Sequence, residues 1–115
     1  MATLTVQETD RVTGLNITDN DSAADAGGDE FANTGLEMLY ISNGDASSMT
    51  LTLVMPSSCD GVDPVDPTIT VPAGEDMLVG PFPPDAFNDP ATGRMSITYS
   101  SVTSLLVMVF KRGLV

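Results

Sequence analysis

TITVPAG (68–74), MLVGPF (77–82), FND (87–89), MSITY (95–99) and LLVMVF (105–110) follow one another in the last third of the chain. Short extended runs alternate with Pro, Gly, Asn and Asp. The cleanest run places Met95, Ile97 and Tyr99 on one face and Ser96 and Thr98 on the other, the period of a half-buried strand. Residues 105–110 are apolar on both faces. A strand of that kind is covered twice, by its own core and by another layer or subunit. Pro81, Pro83 and Pro84 lack N–H donors, so 81–84 is expected along a sheet edge. Residues 85–88 are expected to form one helical turn capped by Asp85.

Upstream, 36–42 reads as a strand, and 49–55 alternates with Met49, Leu51, Leu53 and Met55 on one face. Asn43-Gly44-Asp45 between them is a strong turn signal and predicts an antiparallel hairpin. Thr68 to Val71 and Met77 to Gly80 read as partners or as one interrupted strand. No helical periodicity of useful length appears. The pattern is all-β: a single antiparallel β-sandwich, jelly-roll-like or Ig-like.

Residues 1–30 differ. A short alternation at 3–7 and a weak apolar run at Val12, Leu15 and Ile17 lead into TDNDSAADAGGDE (18–30), which has no periodicity. This segment is expected to be an extended acidic N-terminal arm or loop, outside a sandwich of 31–115.

Length and composition set the class. A chain of 115 residues with 42% hydrophobic content is enough for one globular domain, burying about two-thirds of its unfolded surface. No run approaches the roughly 20 apolar residues of a spanning helix. The N-terminus carries no signal-peptide pattern, and the single cysteine fits synthesis in a reducing cytoplasm.

Charge is the outlying quantity. Sixteen acids face four bases, a formal net charge of -12. Nucleic acid and anionic membranes are poor partners for such a surface, because both are bound through Lys and Arg. Two readings of the acidity remain: solubility at high expression, and adaptation to high salt, where screening makes dense carboxylates tolerable.

Candidate chemistry is sparse. The chain has no His, which removes His-based triads and His-ligated metals. Cys59 sits between prolines and acids, with Asp60 and Asp63 beside it, an unfavourable setting for a thiolate. Asp19, Asn20, Asp21, Asp25, Asp29 and Glu30, or Asp60, Asp63 and Asp66, offer oxygen ligands for calcium but not the spacing of an EF-hand. Asn16-Ile17-Thr18 and Asn20-Asp21-Ser22 fit the glycosylation sequon, a short pattern that arises by chance. Four Phe, two Tyr and no Trp make a sugar-binding cleft improbable. No catalytic, cofactor or metal residue is assigned.

The motifs VPAG (71–74), GPF (80–82), ND (88–89) and SITYSSVT (96–103) resemble those of small virion proteins of tailed bacterial and archaeal viruses. The resemblance covers about residues 34–111 and leaves the first thirty unmatched. It implies a compact sandwich that acts as a capsid decoration (cement) protein on the outside of an icosahedral head. It also implies a homotrimer, the major capsid protein as partner, no cofactor, and residence in the virion after synthesis in the host cytoplasm. Other virion parts (a vertex turret base, head fibre or neck protein) and a calcium- or carbohydrate-binding module are the alternatives. The shared motifs are turns, so no functional residue is carried over.

If carboxylate repulsion weighs on the fold, the thermal midpoint rises from low salt to about 1 M KCl as the Debye length shrinks. A midpoint that is flat or falls over that range, followed by circular dichroism, leaves solubility as the meaning of the charge.

Overall fold

The computed structural model describes residues 2–56 and 66–112. Its strands are β1 (Ala2–Thr3), β2 (Val6–Glu8), β3 (Ser22–Ala23), β4 (Asp29–Ala32), β5 (Met38–Asn43), β6 (Met49–Leu53), β7 (Thr68–Val71), β8 (Asp76–Val79), β9 (Arg94–Tyr99) and β10 (Leu105–Lys111). Two single-turn helices, α1 (Ile17–Asn20) and α2 (Pro84–Phe87), interrupt them. One sheet, A, runs β1-β4-β9-β6-β7, and the other, B, runs β2-β10-β5-β8 with β3 also on β10. The protein is an all-β sandwich of two packed sheets. Leaving out β1 and β2, the orders β4-β9-β6-β7 and β3-β10-β5-β8, with the chain crossing between sheets at almost every connection, are those of a jelly roll.

Strand alternation builds the core. Phe31, Leu39, Ile41, Leu51, Val71, Met95, Ile97, Val107 and Val109 are wholly enclosed between the sheets. Met95 and Ile97 face inward as the sequence predicts, and Tyr99 is partly buried beside them.

The strand signals hold, but several connections differ from expectation. Residues 43–48 do not close a hairpin. They carry the chain from β5 in sheet B to β6 in sheet A, where β6 pairs with β7 and β9. Asn43 makes that corner. Its buried amide donates to the carbonyls of Ser47, Val71 and Pro72 at 3.0, 3.2 and 3.3 Å, and its Oδ1 accepts from Asp45 N. A local turn signal cannot report those distant carbonyls. For the same reason β7 and β8 are neither partners nor one strand, since β8 pairs with β5 in the opposite sheet.

Residues 81–84 do not edge a sheet. Phe82 is buried and packs on Phe31 and Phe87, with ring centroids 5.9 and 6.1 Å away. The helical turn forms at Pro84–Phe87, but Pro83 is its N-cap and Asp85 lies inside the first turn, so no side chain caps it. An amide clasp ties this end together. Asn33 donates to Phe82 O and Asn88 Oδ1 (3.1 and 2.8 Å), and Asn88 donates to Asn33 O and Gly93 O (2.6 and 3.1 Å).

The first thirty residues are not a detached arm. β1 pairs parallel with β4, β2 pairs parallel with β10, and β3 pairs antiparallel with β10. The two parallel pairs make both sheets mixed rather than purely antiparallel. The 30/31 boundary falls inside β4, whose Asp29 and Phe31 are both buried. Pieces this short have no legible period. They hold because they complete edges of strands that the core already fixes. Gly28 shows how closely the segment is fitted: at φ +92° its would-be Cβ lies 2.6 Å from the Ile97 carbonyl oxygen, so only glycine fits.

Ile97→Ala should cost about 2–5 kcal/mol, because the enclosed site cannot collapse around the lost methyl groups. Gly28→Ala should cost about 2 kcal/mol or more, from the clash and the left-handed backbone together. Thr70→Ser, at an exposed outward position of β7, should stay within about 0.5 kcal/mol. Urea unfolding of the three variants checks the order. A silent Gly28→Ala would mean that the first thirty residues are loosely attached.

Candidate functional site

The two outer faces of the sandwich differ in chemistry. Sheet A turns hydroxyls outward: Thr50 and Thr52 from β6, Thr68 and Thr70 from β7, Ser96 and Thr98 from β9, with Thr52 registered between Thr68 and Thr98. Sheet B turns apolar side chains outward. In the cross-strand rows Met108 lies beside Tyr40 and Tyr40 beside Leu78, while Phe110 lies beside Met38.

Part of sheet B's face is covered, which answers the expectation that β10 is covered twice. Residues 9–17 loop over it, and Met108 is only 3% exposed. The cover is incomplete. Leu78 remains 58% exposed and Leu106 39%. Between cover and sheet lies a groove of about 330 Å³, lined by Thr9, Asp10, Gly14, Leu15, Ile17, Leu78, Met108 and Phe110.

Local chemistry shapes the groove's wall. Asp10 accepts from Val12 N (2.7 Å) and Thr13 Oγ1 (3.1 Å), closing a tight turn. Those donors, the Val12 N–H first, hold its carboxyl below the ordinary range, so it is an anion at neutral pH. Asn16 then caps α1 by accepting from Asp19 N at 3.2 Å, which sets Leu15 and Ile17 against the sheet. On the same face of sheet B, Asp76 accepts from Tyr40 Oη (2.9 Å) and Ser42 Oγ (2.6 Å). Burial, then the bond to Asp76, pushes the Tyr40 phenol above its ordinary value and keeps it a donor.

The acids considered as calcium ligands are dispersed. Asp25 accepts from Gly27 N, Glu30 pairs with Arg94 at 3.1 Å, and Asp66 accepts from Met55 N. Asp29 is buried beneath Tyr99, whose hydroxyl donates to Oδ2 at 2.6 Å. Asp29 Oδ1 has no hydrogen-bond partner among the described residues. Burial first, and then that bond, raises the Tyr99 phenol well above its ordinary value. No group of three or more metal-ligating side chains occurs among the described residues. Cys59, Asp60 and Asp63 lie outside them.

The groove's cover was missed by sequence reasoning. Val12, Leu15 and Ile17 carried a weak apolar signal, but their spacing fits neither a strand nor a helix, and only the outward apolar face of β10 asked for a cover. Compared with family models, curated proteins and solved structures, the chain matches none.

One buried carboxylate has a purely structural part. Glu37 accepts from Thr34 N (2.6 Å), Thr34 Oγ1 (2.9 Å) and Leu36 N (3.2 Å). Burial alone would raise its carboxyl, but these donors outweigh burial and hold it below the ordinary 4.5. A depressed folded-state value gives stability that is full above 4.5 and is lost as pH falls through the lower folded value. Glu37→Gln should cost about 1–3 kcal/mol at pH 7. The gap to the wild type should narrow as denaturation curves are taken below pH 4.5. A gap independent of pH would contradict the ionised reading.

Proposed function

We propose that this chain is a virion structural protein that decorates the outside of an icosahedral head and ties neighbouring capsid subunits together. The observation that carries the reading is the unequal chemistry of the two outer faces. Sheet A, covered in hydroxyls, suits water. Sheet B, with Leu78 exposed in a groove and Leu106 exposed elsewhere on the same face, suits a partner. The jelly-roll strand order agrees with the virion resemblance, since the fold is common among capsid domains, although it also builds lectins and cupins. The partner is the major capsid protein and the face of sheet B is the attachment surface. Modules held as a homotrimer engage several subunits together, so modest contacts sum to strong retention. The acidic surface keeps free trimers apart before assembly.

The test mixes purified chain with undecorated capsids of its own virus. The wild type should co-sediment, resist dilution, and raise the temperature at which heads break, because bridging contacts bind only the assembled state. Leu78→Asp with Leu106→Asp should abolish co-sedimentation, and Thr50→Asp with Thr70→Asp should leave it intact. Light scattering of the free protein should give a mass near three chains. Failure of the wild type to bind would remove the decoration reading. Loss of binding only in the sheet A variant would move the attachment to the other face.

A further inference from the structure

We propose that the groove on the outer face of sheet B is a receptor for a basic polypeptide segment: one or two large aliphatic or aromatic side chains flanked by Lys or Arg. The inference rests on the decoration reading for its biological partner, but not for its chemistry. The floor is Leu78, Met108 and Phe110, and the wall is Leu15 and Ile17, with Ile17 itself 40% exposed. A volume of about 330 Å³ is at the small end for a ligand cleft, enough for an anchor side chain but not for a docked helix. A Leu or Phe seated there buries the apolar surface that the 9–17 loop leaves open.

One carboxylate lines the anchor's position and others lie on the same side of the protein. Asp10 lines the groove, Asp76 stands beside Tyr40 and Ser42 on the same face, Asp21 is close enough to act on the Tyr40 phenol, and Asp19 lies in α1. The described cations nearest in sequence are Arg11, in the turn that Asp10 closes, Lys111, which pairs with Glu8 at 3.6 Å, and the exposed Arg112. The groove is therefore apolar inside, with one carboxylate, Asp10, in its lining and more acids than bases around it: Asp19, Asp21 and Asp76 against Arg11, Arg112 and a Lys111 already paired with Glu8. That arrangement sets the sign of the partner. A second copy of this chain, at net charge -12, would bring like charges together around an apolar contact. Lys or Arg flanks would meet the rim with complementary charge while their stems extend the apolar contact.

Three twelve-residue peptides serve as probes: a Leu-Phe centre with Lys flanks, the same centre with Glu flanks, and a Ser-Ser centre with Lys flanks. Each is titrated into the full-length protein and followed by backbone amide NMR. The Lys-flanked Leu-Phe peptide should shift the amides around Leu15, Ile17, Leu78, Met108 and Phe110. Either altered peptide should bind about tenfold more weakly or worse, and binding should weaken as salt is added. Leu78→Ser, at a side chain exposed enough to leave the fold intact, should lose about tenfold as well. Thr52→Val on sheet A should change nothing.

Peptide binding that ignores the centre residues and Leu78 would reduce the effect to bulk charge and overturn the proposal. So would shifts at these amides that grow with protein concentration alone, which would give the groove to a second copy. The capsid experiment separates the two ideas. If Leu78→Ser still coats heads and no peptide binds, the groove proposal falls and decoration stands. If the peptide binds as described and heads do not, decoration falls and the groove proposal stands.

Discussion

β10 is the constraint around which the protein is arranged. It is apolar on both faces, and both of its edges carry unpaired backbone groups that must be satisfied. β5 takes one edge along six registered pairs, Leu105 to Phe110. The other edge is divided between β3, at Leu106 and Val107, and β2, at Val109 to Lys111. The inner face, Leu105, Val107 and Val109, joins the core, and the outer face drives the chain between β2 and β3 to fold back over Met108. One strand thus accounts for most of the N-terminal segment: β2 and β3 close an edge and the loop between them closes a face, while β1 pairs with β4 in sheet A. A segment that seems featureless alone becomes ordered because β10 leaves it two places to go.

The sequence made strand identity and strand faces legible and left connectivity hidden. Met49, Leu51 and Leu53 alternate inward, and so do Met95 and Ile97, because period-two burial is a local property. Whether a turn returns the chain to the same sheet is not local. Asn43-Gly44-Asp45 has hairpin chemistry, yet the Asn43 amide binds carbonyls at the end of β7, some thirty positions on, and sends the chain across the sandwich. The clasp of Asn33 and Asn88 does similar work between the end of β4 and the turn before β9. Each asparagine reads as loop composition in the sequence. In the fold Asn33 and Asn43 are buried and Asn88 half-buried, and meeting their donors fixes which strands lie next to which. The groove was legible only in part: Leu78, Met108 and Phe110 are visible as outward residues of strands, whereas Leu15 and Ile17 come from a segment with no period to read.

The sandwich explains how a chain this acidic keeps one adhesive face. Sheet A gives most of its outward positions to Thr and Ser, which favour strand backbone and stay hydrated, and adds the Glu30–Arg94 pair. Sheet B differs: Leu106, Met108 and Phe110 of β10 and Leu78 of β8 face outward. The cost is exposed Leu78 and Leu106 on a free molecule.

Carboxylates near that face turn the liability into selectivity. Apolar contact alone would accept any apolar surface, a second copy included. With Asp10 in the groove's lining, Asp76 on the same sheet face and a net charge of -12 over the chain, like-charged surfaces are held off before their side chains meet, and a positively charged surface is drawn in. The apolar groove then supplies the strength and the acids supply the choice. Both properties belong to one face of one sheet, and both follow from β10 having an outer side that the first seventeen residues only partly cover.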